Sequence, residues 1–142
     1  MRFMIIVRAT RDTEAGAPPE ESVLAAMADY HDELVKAGLL LDANGLQPSS
    51  KGFRIRWHAG KQTLTDGPFA ETKELIAGYT VIQVKSQAEA REWAKRFPAP
   101  FGESKDAEIE VRRIYELDEL GPAESIDRFR DIGISTRRYA RR

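Results

Sequence analysis

The amino-acid sequence predicts an α+β fold, an antiparallel sheet with two helices on one of its faces. Three observations carry that expectation. Short apolar or alternating runs recur along the chain, as strands require. Between them, two longer stretches place apolar residues three and four apart, as amphipathic helices require. Clusters of Gly and Pro punctuate the joins.

The elements follow in order. Arg2 to Val7 contains the unbroken run Phe3-Met4-Ile5-Ile6-Val7, a strand apolar enough to have both faces buried. Thr10 to Pro19 is a loop rich in Gly, Pro and charge. Pro18-Pro19 then opens a helix with Glu20 and Glu21 behind it, since proline suits a first turn and carboxylates suit the positive end of the helix dipole. That helix runs to about Ala37, with Lys36 near its end and Gly38 as the stop. Leu24, Met27, His31, Leu34 and Val35 recur at threes and fours and share its inward face. A second strand covers Leu39 to Asp42.

Phe53 to His58 alternates apolar and polar like a half-buried strand. Ala59-Gly60 turns the chain, and Lys61 to Thr65 returns as a hairpin partner. Gly78 to Val84 is the next strand, with Tyr79 and Val81 on one side and Ile82 and Val84 on the other. Ser86 and Glu89 form a capping box that starts the second helix. Ala90, Trp93, Ala94 and Phe97 are its buried stripe, and Pro98 and Pro100 end it. Glu108 to Tyr115 is the last core strand. After Gly121-Pro122 a short amphipathic helix carries Ile126 and Phe129 onto the body.

With the hairpin set aside, the order is strand, helix, strand, strand, helix, strand, the ferredoxin-like plan. Both helices cover one face, yet the first strand is apolar on both. A second copy packing sheet against sheet supplies the cover, so a homodimer, a dimeric α+β barrel, is expected. The expected division is a domain over 1–116 and a C-terminal extension over 117–142.

Composition bounds the chemistry. A chain of 142 residues fits one domain with a core of its own. With 42% apolar and 32% charged residues, disorder is not expected. The absence of cysteine excludes a disulfide framework and a thiolate nucleophile. Two histidines, with no carboxylates at ligand spacing, leave no metal site and no cofactor expected. A formal net charge of −1 builds no field for nucleic acid or anionic lipid. Arg137, Arg138, Arg141 and Arg142 around Tyr139 can bind phosphates, but a solvated terminus is the simpler reading and nucleic acid is not an expected partner. Met1 to Val7 is too short for a signal peptide, and no stretch approaches the ~20 apolar residues of a spanning helix. The cytoplasm is the expected location.

The run Asp66-Gly67-Pro68-Phe69-Ala70-Glu71-Thr72-Lys73-Glu74, followed by Gly78-Tyr79, resembles the signature of the DGPF branch of the YCII-related proteins. Tyr30, Glu33 and Leu34 before Lys36-Ala37-Gly38 resemble the family's first helix, Gly45-Leu46 its second strand region, and Val111-Arg112 its last strand. The resemblance extends over Met1 to Ile114. It implies a dimeric ferredoxin-like barrel. For some members it implies lyase chemistry through a His–Asp pair, but Met27 stands at that histidine's place and Phe97 at the aspartate's, so the activity is not carried over. It also implies a genomic association with extracytoplasmic-function sigma factors, and hence a regulatory role as the alternative to an enzyme.

Two readings attach to each candidate residue. Asp66-Gly67-Pro68 is a turn on the structural reading. On the functional one it holds Asp66 at a cavity mouth as a base, where partial burial would raise its pKa. Glu71, Lys73 and Glu74 are either solvated charges or, with the loop folded over the sheet, a base and an anchor for an anionic ligand group. Arg112 is structural or pocket-lining, and if buried it needs a carboxylate partner such as Asp66 or Glu71. His58 reads as exposed. His31, inward on the first helix, is either a satisfied core histidine or a proton carrier one turn beyond the family's histidine position. The expected function is therefore a homodimeric small-molecule-binding barrel, using acid–base chemistry without a cofactor in the enzymatic reading.

Overall fold

The first strand, β1 (Arg2–Arg8), sits inside an antiparallel sheet and is hydrogen-bonded on both sides. The computed structural model describes residues 1–121 and 124–134. Along them follow α1 (Arg11–Glu14), α2 (Glu21–Lys36), β2 (Leu40–Gly45), β3 (Phe53–His58), β4 (Lys61–Asp66), β5 (Ile76–Gln83), α3 (Gln87–Lys95), β6 (Ile109–Arg113) and α4 (Glu124–Asp131). The sheet has the order β2-β5-β1-β6, every neighbouring pair antiparallel, and β3–β4 forms a separate two-stranded sheet. The fold is α+β, as expected.

Register decides which face each residue joins. Ile5 lies opposite Thr80 on one side and Val111 on the other, and Phe3 lies opposite Ile82. These side chains share one face, because alternate residues of a strand point to opposite sides. Tyr30 and Leu34 of α2 and Ala90 of α3 close over them with Val84, and Leu40, Trp93, Phe97 and Ile109 pack around the rim. Both helices thus bury the same face. Met4 and Ile6 point the other way, opposite Val81 and Tyr79, and are half-buried.

The buried line of α2 is Val23, Tyr30 and Leu34, not the full line expected from Leu24 to Val35. Leu24 and Val35 are exposed. The face centre passes through positions 23, 30 and 34, so residues one position away on the helical wheel turn outward. Gly38 at φ 74 ends this helix, and its N–H bonds the carbonyl of Val35 at 2.9 Å. The loop expected over Thr10 to Pro19 contains α1, where Thr10 and Thr13 cap each other reciprocally. At α3 the expected capping box is half made. Ser86 Oγ accepts from the N–H of Glu89 at 3.1 Å, but the Glu89 carboxylate accepts from Lys85 N–H at 2.9 Å. In α4 Ile126 is buried and Phe129 is exposed. Pro122 and the arginine cluster around Tyr139 lie outside the described residues. Among the described residues no helix is long and apolar enough to cross a membrane.

Candidate functional site

The helix layer does not fill the space over one end of the sheet. A cavity of about 670 Å³ opens there, within the ~300–1,000 Å³ of small-molecule sites. Its floor is Val7 of β1, Ala43 and Gly45 of β2 and Gly78 and Thr80 of β5; its wall is α2 at Val23, Met27 and His31; Phe97 and Phe101 close a side. The sheet is low at this point because β2 and β5 set two glycines opposite each other, Gly45 and Gly78. A Cβ on Gly78 would lie 2.9 Å from the Asn44 carbonyl oxygen, whereas one on Gly45 would meet nothing within 4 Å.

His31 and Thr80 form a hydrogen-bonded pair in the wall and floor of this cavity. His31 Nδ1 lies 2.7 Å from the Met27 carbonyl oxygen, and Nε2 lies 2.8 Å from Thr80 Oγ1. A carbonyl can only accept, so Nδ1 carries a proton; in the neutral ring Nε2 then accepts from the threonine hydroxyl. Tyr30 and Phe97 flank the imidazole edge-on, with ring centroids 5.5 and 6.4 Å away. Tyr30 Oη donates to the Trp93 carbonyl at 2.8 Å, and burial pushes its pKa up to about 12, so it stays a neutral donor and serves as a prop for the ring. At the mouth, Asp12 and Lys105 are 3.4 Å apart. Among the described residues no three His, Asp or Glu side chains cluster as a metal site would need.

This geometry makes a stability prediction. His31→Leu removes the partner of a buried hydroxyl and should cost about 1–3 kcal/mol. Adding Thr80→Val removes the stranded hydroxyl and should recover most of that loss. Urea midpoints for the wild type and the two variants check it; a double variant no more stable than His31→Leu would show that the hydroxyl has another partner.

Of the candidate site residues His31, Asp66, Glu71, Lys73, Glu74 and Arg112, only His31 is in this cavity. Asp66, Glu71, Lys73, Glu74 and Arg112 line no part of it. The reason for the first four is a close backbone crossing. The N–H of Gly67 bonds the Gly52 carbonyl at 3.0 Å, and Phe69 N–H bonds Ser49 Oγ at 3.0 Å. Ser49 is in turn held by both carboxylate oxygens of Glu14, the N–H at 3.0 Å from Oε1. The loop is therefore pinned on the turn at 48–52 and lines no part of the cavity. Glu71 precedes a short 3-10 turn, Thr72–Glu74, and Glu71, Lys73 and Glu74 are exposed. Arg112 is 72% exposed and pairs with Glu110 at 3.2 Å, in place of the buried pairing with Asp66 or Glu71. Arg112 first, and Arg8 with it, hold the Glu110 carboxyl below its ordinary range. His58 is exposed, as read.

Thr80 was the residue missed. It lies on the helix-facing side of β5 with Ile82 and Val84, and a single hydroxyl in that apolar row was the available signal. Met27 and Phe97, the positions where the family resemblance places a His–Asp pair, both line the cavity.

Fold and cavity together define a small α+β protein with a ligand-sized hollow between its helices and its sheet. The comparisons narrow that class: the YCII-related domain matches residues 1–118, and the chain belongs to the YCII-related family. An uncharacterised protein of Rhizobium meliloti (strain 1021) is 30% identical over 101 residues, 71% of this chain and 82% of that protein. Among solved structures, 5-chloro-2-hydroxyhydroquinone dehydrochlorinase of Burkholderia phenoliruptrix AC1100, in complex with 2,5-dihydroxybenzoquinone, aligns at 15% identity with a TM-score of 0.39, over 81% of this chain and 94% of that one.

Proposed function

We propose that this protein binds a small, largely apolar organic molecule in the cavity between α2 and the sheet, with the His31–Thr80 pair as its polar contact. The observation that carries the reading is the pair itself: an imidazole held at both nitrogens, in the wall of a hollow of about 670 Å³. A pocket that is mostly apolar with a few oriented polar groups is the usual form of a small-molecule site. In its enzymatic form the site performs acid–base chemistry with no cofactor. A ligand hydroxyl donating to Thr80 Oγ1 would extend the chain that ends at Nε2. A proton leaving the ligand would then arrive on His31, and the Met27 carbonyl would stabilise the imidazolium through Nδ1–H.

The reading places the chain in the DGPF branch of the family, on the run Asp66–Glu74, and includes a homodimer of ferredoxin-like subunits. The β2-β5-β1-β6 order, with both helices on one face, supports that subunit architecture. In the regulatory alternative, with a sigma factor as partner, the same cavity senses its ligand without converting it.

A thermal-shift screen of small organic molecules tests the reading, since a ligand of the native state raises apparent stability. Compounds that stabilise the wild type should bind His31→Leu at least about tenfold more weakly. Hits that bind both proteins equally would remove His31 from the site. Product formation with a hit separates the enzyme from the sensor.

A further inference from the structure

The hairpin β3–β4 has no part in the cavity, yet every residue from Phe53 to Asp66 is exposed. Phe53 to His58 alternates as a half-buried strand does, yet among the described residues nothing covers its apolar face. Register shows what is left bare. Ile55 lies opposite Leu64, with Phe53 and Trp57 two residues to either side; opposed residues, and residues two apart, share a face. Four large apolar side chains therefore stand together, exposed by 63% at Phe53, 41% at Ile55, 69% at Trp57 and 60% at Leu64. The opposite face carries Arg54, Arg56, His58 and Lys61 with Thr63 and Thr65. There the Arg54 guanidinium lies 3.8 Å over the Phe69 ring. One face suits water and the other does not. A two-stranded hairpin is marginal at best in water, so the apolar face needs a partner surface.

We propose that β3–β4 is an intersubunit arm whose Phe53-Ile55-Trp57-Leu64 face lies on a second copy of this chain. Area and charge choose that occupant. At ~200 Å² for a large side chain, the observed exposures leave roughly 450 Å² of apolar surface per arm. An equal area on the receiving surface, and two arms in a two-fold dimer, bury roughly 1,800 Å², inside the ~1,200–2,000 Å² of a stable interface. Stacking the two arms on each other would bury only roughly 900 Å², below that range. Within the arm Arg54, Arg56 and Lys61 stand against Asp66, a net charge of +2; the whole chain carries −1, so the remainder carries −3. One copy's arm is thus attracted to the body of another and repelled by its arm. This inference rests on the homodimer of the proposed function and names the surface that builds it.

Sedimentation equilibrium of the full chain tests the arm. The wild type is expected to be a dimer, and Ile55→Lys/Leu64→Lys should weaken it roughly a hundredfold. Thr63→Lys, which adds a charge to the opposite face, should leave the constant within about threefold. All three should share one far-UV circular dichroism spectrum, because the substituted sites are exposed. A dimer equally tight in Ile55→Lys/Leu64→Lys overturns the arm and leaves the dimer standing. A wild-type monomer overturns both, and a monomer that sediments with phosphatidylserine vesicles assigns the apolar face to a membrane. Trp57 emission in a Trp93→Phe background gives a readout with the arm intact. It should shift to the blue as concentration drives dimerisation; a dimer whose Trp57 still emits as in water overturns the proposal.

Discussion

Gly67→Ala is expected to destabilise the protein by about 4 kcal/mol, at the severe end of single substitutions. A Cβ at Gly67 would sit 1.8 Å from the Ser49 carbonyl oxygen and 2.6 Å from its carbon. The obstacle is backbone, so no side-chain rotation can relieve it. Either the loop or the 48–52 turn must move, and either movement breaks the bonds from Gly67 N–H to Gly52 and from Phe69 N–H to Ser49. Gly52→Ala is the matched control in the same crossing. Its nearest neighbour, the Ser49 carbonyl oxygen, would be 3.6 Å away, an ordinary contact, and its φ of −118 suits any residue. It should change stability by less than about 1 kcal/mol. Urea midpoints decide between them; equal midpoints would mean that the crossing is not as tight as described. The consequence reaches the site, because Pro48, in the pinned turn, and Leu46, just before it, line the cavity.

Leu34→Ala should cost about 3–4 kcal/mol. Leu34 is fully buried, in the cluster that joins α2 to Phe3, Ile5 and Ile82 of the sheet. Truncating it loses the transfer energy of three carbons and leaves a void that close-packed neighbours fill only in part. For a chain of this length the melting temperature should fall by about 10 °C. Val35→Ala, one residue on and exposed, should move it by no more than about 2 °C. If the two variants melt together, the face of α2 that meets the sheet has been misassigned.

The contrast between Leu34 and Val35 shows what was legible in the sequence. Spacing placed the helix and its inward side correctly, but a stripe of apolar residues is wider than the line that a sheet covers. The α+β class was legible because short apolar runs alternate with two amphipathic helical stretches, which one antiparallel sheet with helices on one side satisfies. His31 was legible for the same reason, as a polar residue on an apolar helix face. Asp66 to Glu74 was not legible as to position. Its most constrained member is Gly67, and the constraint is a crossing with Ser49, eighteen positions earlier in the chain, which no local pattern records. Thr80 was hidden in plain view inside an apolar strand, its role visible only once α2 brought His31 above it. The hairpin shows the opposite limit: alternation reports that one face avoids water, without saying whose surface will cover it.

Gly45→Trp tests most directly whether the cavity beside His31 and Thr80 holds the ligand. A side chain at Gly45 meets open space, and the residue lines the cavity from the strand opposite Gly78. The indole should occupy the hollow while the fold stays intact. Titrating the tightest compound from the screen into the wild type and Gly45→Trp by calorimetry should show binding to the first and a loss of at least about a hundredfold in the second. Equal affinity in the two folded proteins would contradict the account and place the ligand elsewhere.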